Sequence, residues 1–185
     1  MKIKEFKLIS KENNGTFPQL KCIAEHEVIY DDVYLNFYNE NYEFEYMFFG
    51  DSLKLQNNYV EHYYVMSYDE LDNPIGFIQI SSGSRTETAI PFDAMFSFLL
   101  LTGSKSFITI HNHPNNNSKK SCEDILSDNS IKSLSEMLSI NYKNGLIITK
   151  EIMNKLHEKI YSFMKEMLEE SDMMSYEEWM EMEDM

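Results

Sequence analysis

The sequence predicts an α/β (α+β) fold, a sandwich of strands and helices. Three observations carry that reading. Between residues 59 and 149, strand-like and helix-like stretches follow in the order strand, strand, helix, strand, helix, strand. The 185 residues suffice for one domain with its own core. Apolar residues make up 43% of them and aromatics 14%, the composition of a globular chain.

Residues 2–9 carry Ile3, Phe6, Leu8 and Ile9, an irregular strand pattern, and residues 12–18 (ENNGTFP) form a turn-rich break. Residues 20–29 read as a strand. Asp31-Asp32 can cap a helix that begins near Val33. Residues 42–49 are aromatic and fit helix or strand equally. Gly50-Asp51 and residues 56–58 mark breaks. Residues 59–67 (YVEHYYVMS) are rich in the side chains that strands favour, and residues 75–81 alternate as the second strand of a hairpin across Asn73-Pro74. Residues 83–88 read as a loop. Pro91 suits the start of a helix over 92–101, ended by Thr102-Gly103. Residues 106–111 (SFITIH) form a short buried strand, and Ser121 opens a helix to about Leu138. Asn144-Gly145 reads as a turn into a last strand over 146–149. Beyond Lys150, positions 153, 156, 160, 163 and 167 step alternately by three and four, as a packing seam does. That seam fits a helix docked on its own domain, or a dimer or partner contact through residues 151–170. Ser171-Asp172 interrupts the pattern, and Ser175 with Glu178 has capping-box spacing for a short acidic helix. The organisation expected is an N-terminal strand segment over 1–30 packed on the main domain, a domain over 31–150, and an acidic, methionine-rich helical extension over 151–185.

The net charge of −15 is the most unusual bulk property. Nucleic-acid binding through phosphates needs lysine and arginine, and acids outnumber bases 31 to 16, which disfavours it. Residues 166–185 hold nine acids and no lysine or arginine, the pattern of a solvated face or tail. Cys22 and Cys122 stand far apart with no CxxC, so no disulfide framework is expected and a reducing, cytoplasmic home fits. The first ten residues have no continuous apolar run, so no signal peptide is expected, and no stretch reads as a membrane span.

The chemistry concentrates in His111-Asn112-His113-Pro114 and Ser121-Cys122-Glu123-Asp124. Successive strand residues face opposite sides, so His111 and His113 can share one. Pro114 cannot donate to a ladder and ends the pairing. The chain can then loop back and offer Asp124, in the first turn of the next helix, as a third ligand. Two histidines and an aspartate leave one position open on zinc, the arrangement of catalytic rather than structural sites. Ser121 is placed to steady an oxyanion or to serve as N-cap, and both can hold. Cys122 reads as a helix residue rather than a fourth ligand. A nucleobase deaminase would need HxE with PCxxC, which the chain lacks, and barrels that use HxH typically need about 250 residues.

The string His111-x-His113-Pro114, six residues, Ser121-x-x-Asp124 resembles the JAMM motif of the JAB/MPN+ metalloproteases. The His-Asn-His-Pro wording and the segment Val60-Glu61-His62-Tyr63-Tyr64-Val65 are most similar to the RadC-like JAB domains, over roughly residues 32–149. The resemblance implies a JAB/MPN-like (cytidine-deaminase-like) curved sheet flanked by helices, with zinc held by His111, His113 and Asp124. It also implies Glu61 as general base, which spacing alone does not choose over Glu70 or Glu87. Where the family has Ser-Gly after its proline this chain has Asn115-Asn116. The family's Arg-Glu after the helix-leading proline is Phe92-Asp93, and its Asp-His before the final strand is Asn144-Gly145. The function implied is hydrolysis of a peptide or isopeptide bond, in a protein or peptide substrate that includes the ubiquitin-like class. The alternatives are a binding or adaptor module that keeps the fold without turnover, and an accessory protein in DNA metabolism or in mobile-element or defence systems.

Overall fold

A computed structural model describes residues 1–9, 18–28, 42–83 and 90–170, and the side chains of those residues up to 166. The chain runs through β1 (Lys2–Ile9), β2 (Gln19–Glu27), α1 (Glu43–Met47), a π turn (Phe48–Ser52) and a 3-10 turn (Leu55–Asn57). It continues through β3 (His62–Tyr68), β4 (Pro74–Ser82), α2 (Phe92–Thr102), β5 (Ser106–Asn112), α3 (Cys122–Met137), β6 (Asn141–Ile148) and α4 (Lys150–Glu170). Six strands form one mixed sheet in the order β2-β1-β4-β3-β5-β6. The pairs β1–β2, β3–β4 and β3–β5 are antiparallel, while β1–β4 and β5–β6 are parallel.

Both faces of the sheet are covered, which is why its central strands are buried at consecutive positions instead of alternating with solvent. On one face Met66, Phe77, Ile108, Ile110, Leu146 and Ile148 pack under Phe48 and Phe49 of the π turn and under Met153, Leu156 and Ile160 of α4. On the other, Val65, Ile78 and Phe107 pack under Met95, Phe98 and Leu99 of α2 and Ile131 of α3. The spacing at 153, 156 and 160 therefore docks α4 on its own domain. Three such buried side chains contribute roughly 1.5–3 kcal/mol apiece.

β1 joins the sheet through a close approach. A Cβ on Gly76 would sit 2.5 Å from the Lys4 backbone oxygen, so only glycine lets β1 lie against β4 over Lys4–Phe6.

Several sequence expectations change. The ambiguous aromatic segment is helical: Glu43 and Glu45 are buried, and Lys159 and Tyr68 supply their hydrogen bonds. β3 starts at His62, three residues later than the sequence pattern, because Tyr59 and Val60 lie in a bend ahead of it. Asn144-Gly145 is no turn. It lies inside β6, which pairs with β5 from Asn141 to Ile148 across an irregularity at Lys143. Both cysteines are free and exposed. The helix expected near Val33, the loop residues 84–88 and the features expected from Ser171 onward fall outside the described residues. No helix among the described residues is long and apolar enough to cross a membrane.

Candidate metal centre

β5 sorts its side chains by parity. Ile108 and Ile110 join the cluster under α4 and Phe107 joins the one under α2, so His111 lies on the α2–α3 side. The His113 N–H donates to the Ile148 carbonyl at 3.3 Å, continuing the parallel pairing one step past the strand, which keeps His113 on the side of His111. Beyond Pro114 the chain turns, with the Asn116 N–H donating to His113 O at 2.9 Å and Asn116 at φ 61°. Asparagine is among the few non-glycine residues that adopt this left-handed conformation. It thus fills the place where the resembling family has glycine. The other asparagines brace the loop: Asn115 Oδ1 accepts from Asn117 N–H, and Asn117 Oδ1 accepts from Lys119 N–H. Asn116 Oδ1 accepts from Glu151 N–H at the start of α4.

α3 opens with a reciprocal cap. The Asp124 N–H donates to Ser121 Oγ at 3.1 Å, and the Ser121 N–H donates to Asp124 Oδ2 at 2.7 Å. The Ser121 hydroxyl also donates to Asp124 Oδ2, at 2.8 Å. Ser121 is therefore the N-cap expected, and its hydroxyl orients the carboxylate. The negative charge of Glu123 and Asp124 suits the first turn of the helix. Cys122 is exposed and takes no part in the cluster.

His111, His113 and Asp124 converge, each offering one ligand atom within 4.8 Å of the others. The two Nε2 atoms are 3.0 Å apart; His111 Nε2 lies 3.2 Å from Asp124 Oδ1, and His113 Nε2 lies 3.3 Å from Asp124 Oδ2. His113 Nδ1 is 2.7 Å from the Asn117 carbonyl, which can only accept, so Nδ1 carries the hydrogen and the neutral ring turns its Nε2 lone pair inward. Two imidazole nitrogens and a carboxylate facing one another suit a divalent cation. His111 Nδ1 is buried without a hydrogen-bond partner among the described residues. Its ring lies instead against Tyr63, stacked at 5.4 Å and 9°.

Electrostatics reflect the same convergence. Partial burial acts to raise the Asp124 carboxyl, but hydrogen bonds to His111 and His113, the charge of His111 and the Ser121 N–H outweigh it. They hold Asp124 far below the usual carboxylate range. Burial acts to lower His113, and Asp124 and the Asn117 carbonyl more than reverse it, so the net shift is upward.

Glu61 is not a strand residue. It precedes β3 and is buried, with 7% exposure, on the parity of Tyr63 and hence on the metal side of the sheet. Its negative charge acts on both His113 and Tyr63. The β3–β5 pairing Tyr63↔His111 brings it there across fifty residues of sequence.

Sequence reasoning missed two supports. The first is a polar chain behind His111. Thr109 Oγ1 lies 2.9 Å from the Tyr142 hydroxyl, and that hydroxyl donates to Asp128 Oδ1 at 2.6 Å. Asp128 also pairs with Lys120. It lies one helical turn after Asp124 on the same face of α3. The chain crosses directly over Gly145, whose Cβ position lies 2.7 Å from both Asp128 Oδ1 and the Tyr142 hydroxyl. The second support is Asn112, buried at 0% exposure, whose amide reaches back to Val60 and His62. It stood inside the recognised motif but read only as a spacer between ligands.

The sequence model of the RadC-like JAB domain matches residues 40–168, which spans β3 to β6 and nearly all of α4. The chain is also 28% identical over 99 residues to a UPF0758 protein of Coprothermobacter proteolyticus. That similarity covers 54% of this chain and 42% of the relative, so the chain spans less than half of that protein's length. With strands β3 to β6, helices α2 and α3 and the His-His-Asp cluster within the matched region, the chain belongs to the RadC-like JAB domain family.

Proposed function

We propose that this protein is a zinc-dependent hydrolase, a metallopeptidase or isopeptidase of the JAMM type. The observation that carries this reading is the convergence of His111 Nε2, His113 Nε2 and the Asp124 carboxylate beside a buried glutamate. These three residues hold the metal. When bound, zinc supplies Lewis acidity, polarising a carbonyl and lowering the pKa of water to about 7.

The chain's own groups supply the rest. Asn117 fixes the His113 tautomer through its carbonyl. Glu61 takes the proton of the attacking water and passes it to the leaving amine, a role worth about 10²–10⁴ in rate. The Ser121 hydroxyl turns to hydrogen-bond the developing oxyanion. Its backbone N–H keeps Asp124 in place when the hydroxyl turns away. The substrate is a protein or peptide, including the ubiquitin-like class. A net charge of −15 argues against phosphate-based recognition of nucleic acid.

The test is metal content of protein purified without chelator, read alongside cleavage of a panel of ubiquitin-like and C-terminally extended peptide fusions. Stoichiometric zinc with cleavage that collapses in Glu61→Gln is expected. Absence of bound zinc, or full activity in Glu61→Gln, would sink the proposal. Zinc without cleavage would leave a binding module.

A further inference from the structure

The residue between the two histidines has no role in holding a metal, yet its polar side chain is fully buried at the site. Asn112 has 0% exposure, and both ends of its amide are engaged. Its Oδ1 accepts from the His62 N–H at 2.8 Å, and its Nδ2 donates to the Val60 carbonyl at 3.1 Å. These are the peptide groups immediately before and after Glu61. The β3–β5 ladder ends at Tyr63↔His111, so no strand backbone is there to engage them. The side-chain amide, with one carbonyl and one N–H, takes the place of a neighbouring peptide group. On the other side, the Glu61 carbonyl accepts from the Gly83 N–H at 2.8 Å. Both peptide planes that set the direction of the Glu61 side chain are therefore held, and two of the three bonds come from Asn112.

We propose that Asn112 is a positioning residue for Glu61: its amide clamps the backbone on both sides of Glu61 and so couples the aim of that carboxylate to the strand that carries His111 and His113. Parity assigns the two tasks to neighbouring residues. The histidines face α3, while Asn112 faces the opposite side and bends back to the start of β3. Only asparagine fits both bonds. Aspartate accepts from His62 but cannot donate to Val60 when ionised, and leucine, its apolar isostere, can do neither. The role assigned to Glu61 rests on the proposed hydrolase; the clamp itself does not.

The test compares the full chain with Asn112→Ala and Asn112→Asp, each loaded with zinc. Three quantities are read: hydrogen exchange at the His62 amide, the shift of the Glu61 carboxyl carbon on zinc loading (by carbon-13 labelling of glutamate), and zinc affinity by competition with a chromophoric chelator. In Asn112→Ala the His62 amide should exchange about two- to tenfold faster, the loss of one net hydrogen bond. The zinc-induced shift at Glu61 should shrink, with affinity for zinc changed less than about threefold because no ligand is lost. Asn112→Asp should restore protection at His62 only. On a cleavable fusion, kcat should fall with KM unchanged. Unchanged exchange and an unchanged Glu61 shift in both variants would overturn the clamp, as would loss of zinc binding. Should the wild-type protein cleave nothing, the exchange and carbon shifts still decide the clamp, while the hydrolase reading falls separately.

Discussion

Replacing Gly145 by alanine tests whether the polar chain over β6 fixes α3, and with it Asp124. The added Cβ would lie 2.7 Å from Asp128 Oδ1, 2.7 Å from the Tyr142 hydroxyl and 3.1 Å from Thr109 Oγ1. Two of these are closer than carbon and oxygen tolerate, so the network has to open. Alanine should gain about 0.4–1 kcal/mol through the unfolded chain. Against it stand overpacking, about 1–3 kcal/mol, and the Tyr142–Asp128 hydrogen bond, which is made to a charged group and worth about 1.5–3 kcal/mol. The losses win, and the net expectation is about 3 kcal/mol of destabilisation. For a domain of this size that lowers Tm by roughly 6–12 °C.

The assay is thermal unfolding followed by circular dichroism, with and without zinc, beside the double variant Gly145→Ala with Tyr142→Phe. Removing the hydroxyl relieves one of the two close contacts, so the double variant should lose less than the sum of the singles. Zinc affinity should also fall, by about 10-fold, because Asp128 and Asp124 share one face of α3. A Gly145→Ala protein with unchanged or higher Tm would refute the reasoning, since it would show that the network yields without cost.

Two further expectations concern charge. Zinc at about 100 times its Kd should stabilise the wild-type protein by about 2.7 kcal/mol. Asp124→Asn, which removes the anionic ligand, should abolish that thermal shift; a shift as large as wild type would exclude Asp124 as a ligand. Glu45 has its pKa raised above the ordinary 4.5 by burial, only partly offset by the hydrogen bond from Tyr68. The folded protein therefore holds that proton to higher pH than the unfolded chain does. Glu45 contributes more to stability below pH 4.5, and that contribution is lost as pH rises through the raised value. Glu45→Gln should thus be more stable than wild type at pH 7.5, with the advantage gone near pH 4. Urea unfolding at the two pH values checks this, and equal destabilisation at both would contradict it.

What could be read from the sequence was local. His111 and His113 share a side because strands alternate. Pro114 ends the pairing, and Ser121 with Asp124 carries a helix cap in its own spacing. Each inference needs only a few neighbouring residues. Asn144-Gly145 failed for the same reason. The dipeptide is a strong local turn signal, but β6 lies beside its parallel neighbour β5, and the glycine answers the crowding of Asp128, Tyr142 and Thr109. That crowding depends on side chains from two other elements, α3 and β5, which no short window of sequence contains. The aromatic segment before β3 was ambiguous because its buried acids, Glu43 and Glu45, find their partners in Lys159 and Tyr68, far along the chain.

The candidate metal cluster and the glutamate proposed as its base come from two different kinds of strand connection, which explains why one half was visible and the other required a resemblance. β5, α3 and β6 form a strand-helix-parallel strand unit. In such units the carboxyl end of the strand and the N-terminus of the helix meet across a short loop, the place where α/β folds gather ligands. His111 and His113 stand at that strand end and Ser121 and Asp124 at that helix start, so contiguous sequence encodes the cluster. Glu61 arrives by the antiparallel strand on the other side of β5, whose register no short motif specifies. The two halves meet through the β3–β5 ladder, through Tyr63 against His111 and through the Asn112 amide on either side of Glu61. The site therefore depends on the β3–β5 register as much as on its ligands. A one-residue slip there would keep every ligand in place and turn Glu61 to the opposite face.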